Sequence, residues 1–242
     1  MENKQHVQLP NNMTVNEKLK PKDLLVYVTI KKYMNSETLS CFPSLSTIVE
    51  KSGVSKPTVL NAIKNLEKHG YLKVTRNGRS NLYTFSKHKN FEPFSYDFLD
   101  IEEITPEEKS LIIAAQQYMF KDLEGYGKTT YSDLELSEKI NMSYKSVVKY
   151  SKSLEEKGFL TTIKTSARDP ITGLKINEKL FHLNELGQAI VWTLQKHEDD
   201  INELKEKTKS TSKDVDLLLK EISQLKERLD ELENNKDDQI IL

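Results

Sequence analysis

The chain builds one pattern twice, at a fixed offset of 88 positions. In the first copy Gly53-Val54-Ser55 leads into Val59, Ala62, Ile63 and Leu66-Glu67, and closes on Gly70-Tyr71-Leu72. In the second, Asn141-Met142-Ser143 leads into Val147, Tyr150, Ser151 and Leu154-Glu155, and closes on Gly158-Phe159-Leu160. No gap is needed to align them. A repeat of this length means that one supersecondary unit must be folded twice, which restricts the architecture more than composition can. Each copy reads as a tight turn, a helix with a Ser N-cap, a glycine stop and a strand.

The residues around the first copy extend that unit. Pro21 to Asn35 fits a helix with Leu24, Leu25, Val28 and Ile30 on its apolar side, and Ser44 can cap a second helix carrying Leu45, Ile48 and Val49 inward. Gly53 supplies the turn into a third helix capped by Ser55, with Pro57 tolerated in its first turn. There Val59, Ala62, Ile63 and Leu66 recur at helical spacing and should face the core. The opposite face shows Lys56, Thr58, Leu60, Asn61 and Lys64. After Gly70, Tyr71 to Val74 starts a strand, Asn77-Gly78 signals a two-residue hairpin, and Leu82 to Phe85 returns. Arg76 and Arg79 flank the tip.

This stretch, about residues 20–86, resembles the winged helix-turn-helix domains of bacterial regulators and those at the front of phage and plasmid replication proteins. The resemblance rests on Phe42-Pro43-Ser44-Leu45-Ser46-Thr47-Ile48, Gly53-Val54-Ser55, Thr58-Val59 and Leu66-Glu67-Lys68-His69-Gly70-Tyr71-Leu72. It implies that Lys56, Thr58, Asn61 and Lys64 enter the DNA major groove, and that Arg76 and Arg79 on the wing lie beside the minor groove or backbone. The chemistry agrees. Asn bonds adenine bidentately, Thr touches the thymine methyl, and Lys reaches guanine or phosphate. The helix N-terminus at Ser55 also attracts phosphate.

The second copy belongs to a similar unit. Thr105-Pro106-Glu107-Glu108 is a strong helix start, continued by Leu111, Ile112, Ala115 and Met119. Leu134, Leu136 and Ile140 mark the next helix, and Ser143 caps the third. Tyr144, Lys145, Ser146, Lys149 and Lys152 occupy the counterparts of the reading face and suit nucleic acid. Ser151 stands where Ile63 supplies core, and Tyr150 replaces Ala62, so the packing there must differ. A longer wing runs from Phe159-Leu160 to Phe181-His182-Leu183, with Lys164, Arg168 and Lys175 along it. DNA contact is the favoured role of this unit; dimerisation or partner docking is the alternative.

Charge is distributed unevenly. The net charge is −1, yet residues 1–90 hold 15 basic against 6 acidic groups, and residues 193–242 hold 9 against 14. A basic front with an acidic back suits a nucleic-acid binder. The single cysteine, Cys41, excludes an internal disulfide and points to a reducing cytoplasm; the resemblance implies a nucleoid- or plasmid-associated bacterial protein. The N-terminus lacks the apolar core of a signal peptide, and no stretch approaches a membrane span. His6, His69, His88, His182 and His197 are scattered, so no metal site is expected. No phosphate loop, dinucleotide fingerprint or nucleophile elbow occurs, which argues against an enzyme and against a cofactor.

From Leu194 the apolar spacing turns strictly 3-4. Ile201, Val215, Ile222 and Leu229 fall at a, with Leu204, Leu218, Leu225 and Leu232 at d. β-Branched a residues with Leu at d favour a parallel two-stranded coiled coil, and the g-to-e pairs Glu221–Lys226 and Arg228–Glu233 are attractive.

The expected fold is mainly α with small β-wings (α+β). It comprises a flexible arm (1–19), a first winged helix-turn-helix domain (20–88), an acidic and aromatic linker (89–104) that packs on a domain, a second such domain (105–192), a coiled coil (193–233) and a tail (234–242). The expected function is a homodimeric, sequence-specific regulator on inverted or repeated double-stranded DNA sites, with a possible protein partner at the coil or tail and no membrane contact. A replication initiator on iterated origin repeats and a DNA-segregation adaptor are the alternatives.

Overall fold

The computed structural model describes residues 6–78, 80–88, 90–121, 126–168, 175–182, 204–209, 220 and 223–224. The chain divides into two compact units, Met1–Thr193 and Leu194–Leu242. In the second unit residues 204–209 are helical, with Leu204 62% exposed. Ile201, Val215, Leu218, Ile222, Leu225, Leu229 and Leu232 of the expected seam lie outside the described residues.

The first unit begins with β1 (His6–Pro10), α1 (Asn11–Thr14) and α2 (Pro21–Lys31). Then come β2 (Ser40–Cys41), α3 (Leu45–Ser52), α4 (Lys56–Lys68) and the hairpin β3 (Leu72–Asn77) and β4 (Ser80–Phe85). A connection of β5 (Phe91–Ser95) and α5 (Tyr96–Asp100) leads to α6 (Pro106–Ala115) and a 3-10 turn at Gln116–Tyr118. β6 (Phe120–Lys121), β7 (Tyr126–Thr129), α7 (Asp133–Lys139), α8 (Tyr144–Glu156) and the hairpin β8 (Leu160–Arg168) and β9 (Lys175–His182) follow. Among the described residues three small antiparallel sheets result, with strand orders β1-β5, β2-β4-β3 and β6-β7-β9-β8.

The sequence repeat is a structural repeat to the residue. α4 and α8 both span 13 residues at an offset of 88, and the caps Ser44 and Ser132 of α3 and α7 share that offset. Gly53 (φ 68) and Asn141 (φ 52), both left-handed, make the turns before α4 and α8. The Glu67 carboxylate accepts from the Val74 N–H at 3.0 Å, and the Glu155 carboxylate accepts from Thr162 at 3.0 Å, each tying the third helix to its strand. Asp23 in α2 closes on the Lys20 N–H and accepts from Asn65 of α4 at 2.7 Å. Glu108 does the same in α6, closing on Thr105 and accepting from Ser153 of α8.

The two halves are joined by equivalent contacts in both directions. Helices α2 and α6 pack on each other and are buried nearly all round, as an apolar helix without a polar stripe must be. Lys22 Nζ meets Glu107 Oε1 at 2.7 Å, and both occupy the second helical position of their helices. The Gly53 turn rests on Pro106, so close that a Cβ there would come 2.6 Å from the ring. The Asn141 amide donates to Glu17 and Leu19 carbonyls at 2.8 and 2.9 Å, just ahead of α2. Each half thus sets its turn on the entry to the other half's first helix, an internal two-fold of the isologous kind.

Several expectations need correction. Residues 6–14 are not a free arm: Val7, Leu9 and Met13 are buried, and β1 pairs with β5 over five residues. Period-two burial of apolar residues gives that segment a sheet to join. α2 stops at Lys31 rather than Asn35, because the Asn35 side chain accepts from the Glu37 and Thr38 N–H groups and turns the chain. Asn77 pairs with Ser80 and ends β3, so Gly78 (φ 60), not Asn77, opens the hairpin turn. The connection at 91–100 is packed as expected, with Phe94 and Phe98 fully buried at 4.8 Å centroid separation.

Candidate nucleic-acid interface

Burial in α4 divides the helix cleanly. Val59, Ala62, Ile63 and Leu66 are buried, while Lys56, Leu60, Asn61 and Lys64 are exposed and Thr58 is half-exposed. The inner face anchors on α2, which places the outer residues in one strip. Neither Lys56 nor Lys64 has an ion-pair partner among the described residues. At the N-terminus Ser55 has the extended backbone of a cap, but its hydroxyl shares a 2.9 Å hydrogen bond with the Thr58 hydroxyl instead of accepting from the backbone. With Pro57 lacking an N–H, the remaining donors of that first turn stay available to an anion.

Arg76 lies exposed on β3 opposite Asn81; Arg79 lies outside the described residues. The hairpin base is firm. Tyr83 and Phe85 are buried, and the Phe85 ring meets the Tyr27 ring edge-on at 5.5 Å.

The counterpart strip on α8 differs in chemistry. Tyr144 is 52% exposed, Lys145, Lys149 and Lys152 are exposed, and Ser146 donates its N–H to the capping Ser143 hydroxyl. Lys149 sits 5.8 Å from the centroid of the Tyr150 ring, and Lys152 pairs weakly with Glu156 at 3.8 Å. Ser151 is buried with its hydroxyl unpartnered among the described residues. A cavity of about 470 Å³ opens beside it, rimmed by Leu134, Tyr144 and Val148. Serine fills less space than the isoleucine of the first half and so adds to the gap. Lys164 is exposed on β8, and the tip residues 169–174 lie outside the described residues.

Sequence reasoning missed the contacts that orient this face, namely Gly53 on Pro106 and Asn141 on Glu17 and Leu19. The signal present was the all-round apolar character of α2 and α6, which demands burial on every side. No group of three metal-ligating residues occurs among the described residues, and none of their helices is long and apolar enough to cross a membrane.

Residues 17–72 match a family model described as a helix-turn-helix domain. That span contains α2, α3, α4 and the start of β3, so residues 17–72 are similar to a helix-turn-helix domain, with α3 and α4 in the places of its helix pair. The second half lies outside the matched span. No curated protein matches the chain.

Proposed function

We propose that this chain is a sequence-specific DNA-binding regulator that reads the major groove with α4 and steadies the backbone with the β3–β4 wing. The observation that carries this reading is the open strip of Lys56, Thr58, Asn61 and Lys64, whose lysines have no ion-pair partner among the described residues. The 15 basic against 6 acidic groups in residues 1–90 support it.

The second half is a second winged helix on the same plan. Lys145, Lys149 and Lys152 suit it to the phosphate backbone of an adjoining DNA segment. The exposed Leu134, Tyr144 and Val148 around the cavity favour a protein partner on the same face instead. Pairing of two chains through the tail heptads would bring two reading helices to repeated or inverted sites.

Selection from a randomised duplex library by the full-length protein tests the central claim. The expected result is one enriched motif whose footprint centres on the α4 contacts. Recovery of no motif over non-specific binding, at low and physiological salt alike, would overturn it. Footprint length then separates the two roles of the second half. An extended protected segment supports DNA contact there; protection limited to the first motif supports a protein partner.

A further inference from the structure

Away from the α4 strip, a cavity of about 660 Å³ opens between β1, the end of α2, the segment after β4 and the start of α5. Its chemistry is one-sided. Lys31, Lys32, Lys87, His6 and His88 line it, and no acidic residue does among those described. Lys32 is accounted for, because its ammonium meets Asp100 at 2.7 Å. Lys31 is not. It is only 4% exposed, yet its ammonium has two neutral partners, the Gln8 carbonyl at 2.7 Å and the Tyr27 hydroxyl at 3.0 Å, and no carboxylate among the described residues. The Tyr27 and Phe85 rings stand 5.2 and 5.7 Å from it. Buried lysines are ordinarily paired, since an ammonium stripped of water is strongly disfavoured without a counter-charge.

A second group faces the same space without a partner. The Nε2 atom of His88 is buried and makes no hydrogen bond among the described residues, and the nearby Lys31 charge acts on that ring. The carbonyls that end α2 do not oppose an anion strongly, because they are already engaged. Val28 accepts from the Lys32 N–H, Ile30 from Tyr33 and the Cys41 thiol, and Lys31 from Met34.

We propose that this cavity is a binding site for a small oxyanionic molecule, its phosphate or carboxylate held by Lys31, His88 and Lys87. A DNA backbone phosphate is the wrong shape for it: a duplex is convex, and Lys31 lies below the surface. Burial alone holds the Lys31 ammonium down to about 8, and a bound oxyanion would supply the missing counter-charge. The site is independent of the DNA-reading proposal.

Amide chemical-shift titration of the full-length protein, with inorganic phosphate, citrate and adenosine 5′-monophosphate as separate probes, tests it. Saturable shifts at Lys31, Lys87 and His88 are expected with at least one probe, and the probe that saturates first distinguishes phosphate from carboxylate. Lys87→Gln and His88→Gln, both at incompletely buried positions, should each weaken binding by about tenfold, the loss of one charge-assisted contact, with unchanged melting temperature. Lys31→Gln should abolish binding. If no probe gives saturable shifts, or if Lys87→Gln and His88→Gln bind like the parent, Lys31 merely ties β1 to α2 and the proposal fails.

Discussion

Asn61 and the two lysines that flank it make different demands on DNA, and their substitutions should separate accordingly. Lys56→Ala and Lys64→Ala should weaken binding to all sequences together and lower the salt slope by about 0.9 per phosphate contact removed. Asn61→Ala should instead relax preference at one base pair, because a bidentate contact to adenine contributes about 1–3 kcal/mol of discrimination. Titrations at several salt concentrations on the selected site and its single mismatches measure both; three variants that bind like the parent would remove α4 from the interface. Lys31 makes a prediction of another kind. Burial lowers its folded value to about 8 from 10.5, so above pH 8 the unfolded chain holds a proton that the folded chain has released. Stability therefore rises with pH in that window. The rise is cleanest up to pH 9, above which Cys41, pushed up to about 12 from 9.0 by burial, contributes in the opposite direction. The groups facing Lys31 are Tyr27, also raised by burial, and His88, held down by burial and then by Lys31 itself. Urea unfolding at pH 8 and 9, in a buffer without oxyanions, should show the rise in the parent and a smaller one in Lys31→Met, where buried Lys109, also held down by burial, still contributes in the same sense. Equal slopes in both would mean that Lys31 does not titrate there.

The ends of α6 and α8 are fastened by Glu108. Its side chain is 2% exposed and receives Lys157 at 2.7 Å, beside the Thr105 cap. Burial pushes this carboxyl up, but hydrogen bonds from Lys157, Ser153 and Thr105 outweigh it and leave it below the usual carboxylate range. A lowered folded value means that the contribution is present above the unfolded value and is lost as pH falls through the folded one. Lys157→Met strands the carboxylate without its cation, and should cost about 3 kcal/mol or more in denaturant unfolding at neutral pH. In the first half the carboxylate of Asp23 meets the neutral Asn65 amide, the counterpart of Ser153, so Asn65→Ala should cost less, about 1–2 kcal/mol. If the two variants prove equally mild, the α6–α8 pair is not the fastening inferred here. Elements of this kind were only half legible in the sequence. Ser143, Thr105-Pro106 and Gly70 announced the helix ends, because caps act on neighbours a few positions away. The bonds from Asn65 and Ser153 were not announced, because they join residues 42 and 45 positions apart.

At the scale of the molecule, the offset of 88 made α4 and α8 readable to the residue, while the internal two-fold was hidden. A repeat states that a unit recurs; only the surfaces of α2 and α6 decide how the copies meet. Gly53 joins both kinds of information. Its turn was expected, but its contact with Pro106 was not, and the two costs can be told apart by comparison with Gly70, left-handed like Gly53 but with open space around it. Gly70→Ala should lose about 1–2 kcal/mol for the backbone alone. Gly53→Ala should lose a further 1–3 kcal/mol (roughly), because a rigid proline ring cannot move aside cheaply. Equal losses would mean that the halves part easily at that contact. The tail poses the remaining question of scale, since its heptads rest on sequence and Leu204 alone among the named seam residues is described. Deleting residues 194–242 should leave residues 1–193, a compact unit with its own core, folded and able to bind a single site. Avidity for a paired site should fall by about 10²-fold, because the second contact would no longer be intramolecular. Leu218→Glu should do the same in the full chain by placing a charge in the seam. Light scattering beside binding to single and paired sites decides the matter. A truncated chain that stays dimeric and keeps its paired-site affinity would put the dimer contact within residues 1–193, and the exposed rim of Leu134, Tyr144 and Val148 would be the first surface to mutate.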